Sequence, residues 1–258
     1  MTNRLLFLGT GSSLGTPLVG CCCDVCTSFS PFNQRTRPSA FLEMGGQRIL
    51  IDAGPDLRSQ MLRFGITALD ALILTHAHHD HTAGIDDLRA VWYKMERPLP
   101  FFLSQETCGE LLQRFAYLFE PGPESALGKG VISLHVFDQK QGEVERNQIS
   151  FGYTTYQQGR MSVNGLRFGR LAYVSDIHTF PFEIIKWLEG VDVLVLSALR
   201  MTPSLLHFSI DQALDFSRLV GAKKVWLTHV SHELDHEKTN AYLPPEVQLA
   251  YDGLSLEF

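Results

Sequence analysis

A histidine-rich motif near position 80 of this chain combines the side chains that most often bind transition metals. Three of its imidazoles and one carboxylate fall within six residues: His76, His78, Asp80 and His81. Imidazole and carboxylate are suitable ligands for Zn²⁺, Mn²⁺ or Fe²⁺. In a loop, His76 and His78 can point to one cation, while Asp80 and His81 can turn toward a second. The motif predicts a metal site, and for the motif alone the alternative is a solvated histidine-rich turn.

Three more polar residues each stand at the end of an apolar run that is typical of a buried strand. They are Asp52, Asp176 and His229. Sheets of α/β proteins tend to place their sites at the carboxyl ends of strands. A carboxylate at the position of Asp176 could bridge two cations. Together with the motif near position 80, this ordered set favours one shared metal site over a chance arrangement.

The elements that must position these residues alternate along the chain, without a linker or an internal repeat. We predict strands at 4–8, 41–44, 48–52, 71–74, 101–103, 131–137, 149–156, 171–174, 193–196 and 225–227, and a final hairpin from Val247 onward. We predict helices from Pro55 to about Gly65, at 106–119, at 181–189 and from a cap at Ser209 to Val220, with a loop at 120–129. This alternation indicates an α/β fold with helices covering the sheets, and a single domain over residues 1–258.

Composition narrows the class of protein. Hydrophobic residues make up 45% of the chain, which is enough for a large core and excludes wholesale disorder. The formal net charge of −6 disfavours a nucleic-acid partner, because contacts with phosphates need clustered cations. No apolar run is long enough to cross a membrane, and the first one breaks at Gly9 before a signal-peptide core forms. We expect a cytoplasmic protein without a membrane partner, and we leave a homodimer open.

Cysteine usage points to a second metal site. Four of the five cysteines lie between positions 21 and 26, whereas a secreted disulfide scaffold spreads its cysteines to join distant loops. Clustered cysteines in a reducing compartment more often bind metal. Free thiols or a disulfide within this loop are the alternatives.

The order of these residues resembles the metallo-β-lactamase superfamily. The resemblance rests on the motif from His76 to His81, on Asp52 in Ile51-Asp52-Ala53-Gly54, on Asp176 and on His229. It covers essentially the whole chain. It implies a four-layer αβ/βα sandwich with a dinuclear metal centre between the edges of the two sheets.

Further features are similar to the PhnP-type phosphodiesterases. Cys21-x-Cys23-x-x-Cys26 follows an opening glycine-rich turn, and His232 lies three residues after His229. The resemblance implies that Cys21, Cys23, Cys26 and His232 hold a structural zinc, on a loop near residues 20–27. Three thiolates and one imidazole suit a closed tetrahedral site. The resemblance also implies that His207, before a helix, lies beside the substrate without binding metal.

The chain departs from this family at one ligand. The family carries a further histidine ligand in a His-Gly turn, and the matching position here is Gln158. An amide oxygen is a far weaker ligand for a transition metal than imidazole is. We expect the cation served by His76 and His78 to be held loosely or to be absent. Ligation through the Gln158 oxygen and recruitment of His178 are two alternatives.

The resemblance and the metal motif together predict a metal-dependent hydrolase acting on a small phosphodiester, such as a cyclic ribose phosphate. Two cations about 3.5–4 Å apart can hold a hydroxide between them and clamp a phosphoryl oxygen. We expect one or two Mn²⁺ or Zn²⁺ ions at this centre, in addition to the structural Zn²⁺. Besides Asp80, we assign catalytic roles to Asp52, which orients a ligand histidine or bound water, and to His207, which stabilises the transition state or protonates the leaving alkoxide.

Two other functions compete with this prediction. Because Gln158 replaces a ligand, the chain could be a binding or regulatory module that kept the fold and the structural zinc. A tRNA-processing-type nuclease is the other alternative, although the chain has no basic arm or lysine-rich insertion.

Overall fold

The computed structural model describes residues 3–95, 97–119 and 132–258. The strands in these ranges are β1 (Arg4–Gly9), β2 (Ser39–Met44), β3 (Gln47–Ile51), β4 (Ala71–Ile73), β5 (Leu99–Ser104), β6 (Ile132–Phe137), β7 (Gln141–Arg146), β8 (Ile149–Gln158), β9 (Met161–Phe168), β10 (Leu171–Val174), β11 (Val193–Ser197), β12 (Lys224–Thr228), β13 (Val247–Leu249) and β14 (Ser255–Glu257). The α-helices are α1 (Leu57–Phe64), α2 (His79–Thr82), α3 (Arg89–Trp92), α4 (Gln105–Arg114), α5 (Ala116–Phe119), α6 (Glu183–Trp187), α7 (Ile210–Val220) and α8 (His236–Tyr242).

The strands form two seven-stranded sheets. The first has the order β14-β1-β2-β3-β4-β5-β6, and the second has the order β13-β12-β11-β10-β9-β8-β7. In the first sheet β3, β4, β5 and β6 are parallel neighbours, and in the second β10, β11, β12 and β13 are. Each sheet therefore presents a row of strand carboxyl ends at one edge, where α/β folds tend to carry their sites.

Side chains that alternate along β1 show how the layers stack. Leu5 and Phe7 belong to a buried cluster that includes side chains from both sheets, so this cluster fills the space between them. Leu6 and Leu8 point the other way, into a cluster with α1, α3 and α4. A third cluster packs α6 and α7 against the second sheet. The predicted four-layer αβ/βα sandwich is confirmed.

Most of the predicted elements are present, but the final hairpin was wrong. β13 pairs in parallel with β12 of the second sheet, whereas β14 pairs antiparallel with β1 of the first. The chain passes from the second sheet to the first between β13 and β14. Backbone hydrogen bonds fix this connection at both ends, because Ala250 N donates to Leu227 O and Phe7 N donates to Leu254 O. Alternating hydrophobicity shows that a strand is half-buried but does not select its partner, which is why the pattern was misleading.

Other boundaries also differ from the predictions. The helix predicted at 106–119 breaks at Phe115 into α4 and α5, and the helix predicted at 181–189 is shorter, as α6. The strands β7 and β9 and the helix α8 were not predicted. The loop predicted at 120–129 lies outside the described residues. Among the residues described, no helix combines the length and the apolar character that crossing a bilayer requires.

Candidate metal centre

Three polar residues at strand ends share an unusual backbone conformation. Asp52 follows β3, Asp176 lies just beyond β10, and His229 follows β12, with φ angles of 61°, 51° and 61°. Positive φ is uncommon for residues other than glycine and costs on the order of 1–3 kcal/mol each. Such strain clusters at functional sites. The turns at these positions direct two carboxylates and one imidazole into the space between the sheet edges.

The histidine-rich motif forms the loop after β4 and the short helix α2. Asp80 and His81 lie in α2. Ala53 N donates to His81 O at 2.7 Å, which fixes α2 to the turn after β3. Gly54 is required there, because a β-carbon at this position would overlap the carbonyl oxygen of Asp80. The turn that carries Asp52 and the helix that carries His81 are thus packed backbone to backbone.

Asp176 lies at the middle of the assembled side chains. Its Oδ2 is 2.8 Å from His81 Nε2 and 3.6 Å from His76 Nε2. Its Oδ1 is 3.2 Å from His229 Nε2 and 3.0 Å from His207 Nδ1. One carboxylate thus faces four imidazoles, two at each of its oxygens.

The remaining members of the motif complete the set. Asp80 Oδ2 lies 3.4 Å from His81 Nε2 and 3.3 Å from His229 Nε2. His76 Nε2 lies 2.9 Å from His78 Nδ1. All six predicted imidazole and carboxylate ligands are therefore brought together, whereas the solvated turn would have left them apart.

These separations fit a set of cation ligands. Donor atoms bonded to one ion at about 2.0–2.2 Å stand roughly 3.0–3.5 Å apart at tetrahedral or octahedral angles. The measured separations run from 2.8 Å to 3.6 Å. In addition, His81 Nε2 is buried and makes no hydrogen bond, although it faces two carboxylates. A divalent cation would satisfy that nitrogen and would balance the buried negative charge.

Burial and neighbouring charges shift the pKa values of the carboxylates and imidazoles in the centre. Burial alone would raise the pKa of Asp176, but the charges on His229 and His81 hold it well below its usual value. The pKa of Asp80 is lowered in the same way, chiefly by His81 against the effect of burial. Burial would lower the pKa values of His81 and His229, but neighbouring carboxylates raise both. Both carboxylates are therefore ionised at neutral pH, and a bound cation would displace the imidazole protons that balance them.

The pKa values of His76 and His78 are lowered, whereas those of His81 and His229 are raised. Burial is the main cause that lowers the pKa of each, and the charge on His81 lowers both further. Both imidazoles are therefore neutral at pH 7, which is the form that binds a metal.

Asp52 lies behind the ligands rather than among them. Its Oδ2 is 2.7 Å from His81 Nδ1, and it also accepts from the Thr75 hydroxyl at 2.8 Å. Its Oδ1 accepts from Thr75 N at 2.8 Å. A carboxylate at Nδ1 fixes the proton on that nitrogen and leaves Nε2 for a metal. This position suits the orienting role predicted for Asp52.

Gln158 and His207 lie at one side of the same centre. Gln158 ends β8, is 3% exposed, and places its Nε2 3.5 Å from Asp176 Oδ1. The same Nε2 is 3.2 Å and 3.1 Å from the two ring nitrogens of His207. An atom so nearly equidistant from both nitrogens lies over the face of the ring, so the amide packs against His207. His178 points instead to Thr179 Oγ1 at 3.3 Å, and the alternative in which it replaces the missing ligand finds no support.

The cysteine loop forms a second cluster. The ligand atoms of Cys21, Cys23, Cys26 and His232 all lie within 4.8 Å of one another, and these cysteines are free thiols rather than a disulfide. The Sγ atoms of Cys21 and Cys23 are each 3.5 Å from His232 Nδ1. The His232 hydrogen bond is the main cause that lowers the pKa of Cys23 to about 6, so this thiol is readily deprotonated. Three sulfurs and one imidazole nitrogen match a four-coordinate zinc site, and Cys22 is exposed beside it.

A family model described as "Beta-lactamase superfamily domain" matches residues 47–230. The chain belongs to this superfamily. The matched range contains the histidine-rich motif, the turns of Asp52 and Asp176, and His229. The fold and the related structures indicate a family of metal-dependent hydrolases, as the sequence predicted in outline.

Several relatives match nearly the whole chain. A solved structure described as a new diphosphatase from the PhnP family is 36% identical, with a TM-score of 0.92, and covers 100% of this chain and 98% of its own. A ribonuclease Z of Haloarcula marismortui is 26% identical over 98% of this chain and 96% of its own length. An octanoyltransferase of Porphyromonas gingivalis is 34% identical over 97% of this chain, but the match spans only 51% of that protein.

Two residues that shape the site escaped the sequence analysis. Asn164, in β9, uses both its backbone N and its Nδ2 to donate to Thr75 O at 2.9 Å. These bonds join the second sheet to the loop that precedes His76. Thr75 could have been found from its place at a strand end. Asn164 had no signal, because its role depends on contact between two sheets.

Proposed function

We propose that this chain is a metal-dependent phosphodiesterase acting on a small phosphodiester, with a cyclic ribose phosphate as a candidate. The observation that carries the proposal is the convergence of Asp80, Asp176 and four imidazoles, with His207 beside them at 3.0 Å from Asp176. The similarity to a PhnP-family diphosphatase over the full chain supports phosphoryl chemistry.

The cations would be held by two overlapping sets of residues. Asp80, His81, Asp176 and His229 would hold one, and His76 and His78 would hold another together with Asp176. When bound, such cations supply positive charge to a phosphoryl oxygen and lower the pKa of water toward neutrality. The buried carboxylates supply the negative charge that retains them. Negative net charge on the chain is therefore compatible with an anionic substrate.

We assign to His207 the role of acting on the substrate. Its side chain is 17% exposed, whereas the neighbouring Asp176 and His229 are almost fully buried. Its Nδ1 is 3.0 Å from Asp176 Oδ1, which holds a proton on that nitrogen and fixes the orientation of the ring. The other ring nitrogen is then directed away from the carboxylate. From there a protonated His207 can stabilise the developing charge or donate a proton to the leaving alkoxide.

A ribonuclease of the tRNA-processing type is the second candidate, favoured by the similarity to ribonuclease Z over nearly the full chain. The net charge of −6 weighs against it, since a long RNA requires many phosphate contacts. The octanoyltransferase match covers about half of that protein, so its printed name does not assign acyl transfer to the matching half.

The test is turnover of bis(p-nitrophenyl) phosphate with added Mn²⁺ or Zn²⁺. We expect wild-type activity to fall by at least about 100-fold in His81→Ala, because both a ligand and its contact with Asp52 are removed. His79→Ala is the matched control, because His79 is an exposed neighbour in the same helix. A wild-type protein that is inert with every cation, and a His81→Ala variant that behaves identically, would favour the binding module. Cleavage of a precursor tRNA in preference to small diesters would favour the nuclease.

A further inference from the structure

The loop that carries His76 and His78 lies between β4 and α2. Because this loop is neither strand nor helix, its carbonyl oxygens need hydrogen-bond partners from other parts of the molecule. Ala77, between the two histidines, is fully buried. A buried carbonyl oxygen without a hydrogen bond is costly, so the donor that reaches Ala77 O helps to determine how the loop folds.

Arg114 supplies a charged donor from the outer helical layer. It is the last residue of α4, and its Nη1 donates to Ala77 O at 2.5 Å. Its Nη2 donates to Glu110 Oε2 at 2.8 Å, one helical turn earlier. The guanidinium is planar and is held at two of its nitrogens, so its orientation toward the loop is fixed. The Thr82 hydroxyl also lies 3.4 Å from Ala77 O, but it bonds more closely to His78 O, at 2.8 Å.

The two peptide carbonyls that flank His78 are held from different directions. The following one, His78 O, accepts from His81 N at 3.1 Å, where α2 begins. The preceding one, Ala77 O, accepts from Arg114. The His78 side chain itself is only half-buried, with its Nδ1 2.9 Å from His76 Nε2. The direction of its ring therefore depends on the backbone at both sides, and loss of the Arg114 bond would free one of them.

We propose that Arg114 is a positioning residue for the metal centre. Through Ala77 O, its guanidinium holds the loop in the form in which His76 and His78 converge on the centre. Arg114 acts through the backbone and is not itself a ligand. The inference rests on the proposed function only in taking this centre to be one that holds cations.

The test removes the guanidinium and then returns it in solution. The full chain is freed of metal and given one equivalent of Zn²⁺ for the thiolate cluster, and its affinity for Mn²⁺ is measured by competition with a chelator, without substrate. Thiolates select Zn²⁺, so Mn²⁺ reports on the other centre. Arg114→Ala should bind Mn²⁺ at least about tenfold more weakly, because Ala77 O loses its charged donor and the loop relaxes.

Chemical rescue separates a positioning role from a general loss of stability. The Arg114 side chain is 38% exposed, so the space that it leaves is open to small solutes. Ethylguanidinium in the buffer should restore most of the Mn²⁺ affinity of Arg114→Ala. Ethylammonium carries the same charge without the planar fork of donors, and it should restore less.

Arg218→Ala is the matched control. Arg218 lies in the last turn of α7, which packs on the second sheet, and it pairs with Asp215 of its own helix as Arg114 pairs with Glu110. This variant should bind Mn²⁺ like the wild type, with or without ethylguanidinium. Amide hydrogen exchange over residues 74–82 of the metal-free chain gives a second readout that needs no cation. Exchange there should be faster in Arg114→Ala than in Arg218→Ala.

An unchanged Mn²⁺ affinity in Arg114→Ala would overturn the proposal. So would a weakened affinity that ethylguanidinium restores no better than ethylammonium does, or equal hydrogen exchange in the two variants. Because no substrate is present, these outcomes do not depend on whether the chain cleaves a phosphodiester. Failure of the proposed function would appear separately, as absent turnover by a chain in which Arg114 has this effect on Mn²⁺ binding.

Discussion

At the scale of single residues, Asp52 decides which nitrogen of His81 faces the metal centre. It receives a contact from His81 Nδ1 at 2.7 Å and two hydrogen bonds from Thr75. Asp52 and His81 are both fully buried, so water cannot replace the Asp52 carboxylate if it is removed. The metal affinity of His81 therefore depends on a residue that does not itself lie among the ligands.

Replacement of Asp52 by asparagine tests this dependence. Asparagine tolerates the positive φ at this position and retains one oxygen for Thr75 N. Its amide nitrogen would face His81 Nδ1 and would favour the tautomer with the proton on Nε2. We expect the affinity of the chain for Mn²⁺ to fall about 10–100-fold, measured by competition with a chelator. Asp215→Asn, at an exposed position in α7, should leave the affinity unchanged, and an unaltered affinity in Asp52→Asn would contradict the role.

At the scale of elements, the segment after β12 carries members of both candidate metal sites. His229 lies in the centre, and His232, three residues later, joins the cysteine loop. Backbone bonds tie this segment to the turn after β1, since Val230 N donates to Thr10 O at 2.9 Å and Ser12 N donates to Val230 O at 3.0 Å. The cysteine cluster therefore lies beside the candidate metal centre, and this segment joins the two.

Removing the zinc should loosen this stretch. Because the free energy of metal binding is also folding free energy, Cys23→Ser should lose one Zn²⁺ per chain and melt several degrees lower. In a chain of this size each kcal/mol lost corresponds to a decrease of about 2–4 °C in Tm. The measurements are elemental zinc content and thermal unfolding, with Cys22→Ser as the control at an exposed neighbouring thiol. Unchanged zinc content and Tm in Cys23→Ser would mean that the site is wrongly assigned.

Elements were predictable from sequence where a local pattern determines them. Ser209 and Gln212 form a reciprocal cap at the start of α7, and the helix ends at Val220, before Gly221, as predicted. The partner of β14 was not predictable, because it is selected by tertiary packing. The break at Phe115 was missed because the apolar spacing continues across it.

At the scale of the whole molecule, the site exists because the carboxyl ends of strands from two sheets meet. Asp52 and the histidine motif come from the first sheet, and Asp176 and His229 come from the second. The sequence order and residue types were enough to predict that these side chains belong together. The distances between them, the bond from Asn164 to Thr75 and the direction of the Gln158 amide depend on how the sheets pack, which no local pattern encodes.

Metal stoichiometry tests the central claim most directly. The protein is purified without chelators, desalted, and analysed for metals per chain before and after equilibration with excess Mn²⁺. We predict two firmly held ions, one Zn²⁺ at the cysteine loop and one cation at the centre, with a third ion appearing only in excess Mn²⁺. A chain that retains a single zinc and takes up nothing further in excess Mn²⁺ would contradict the account.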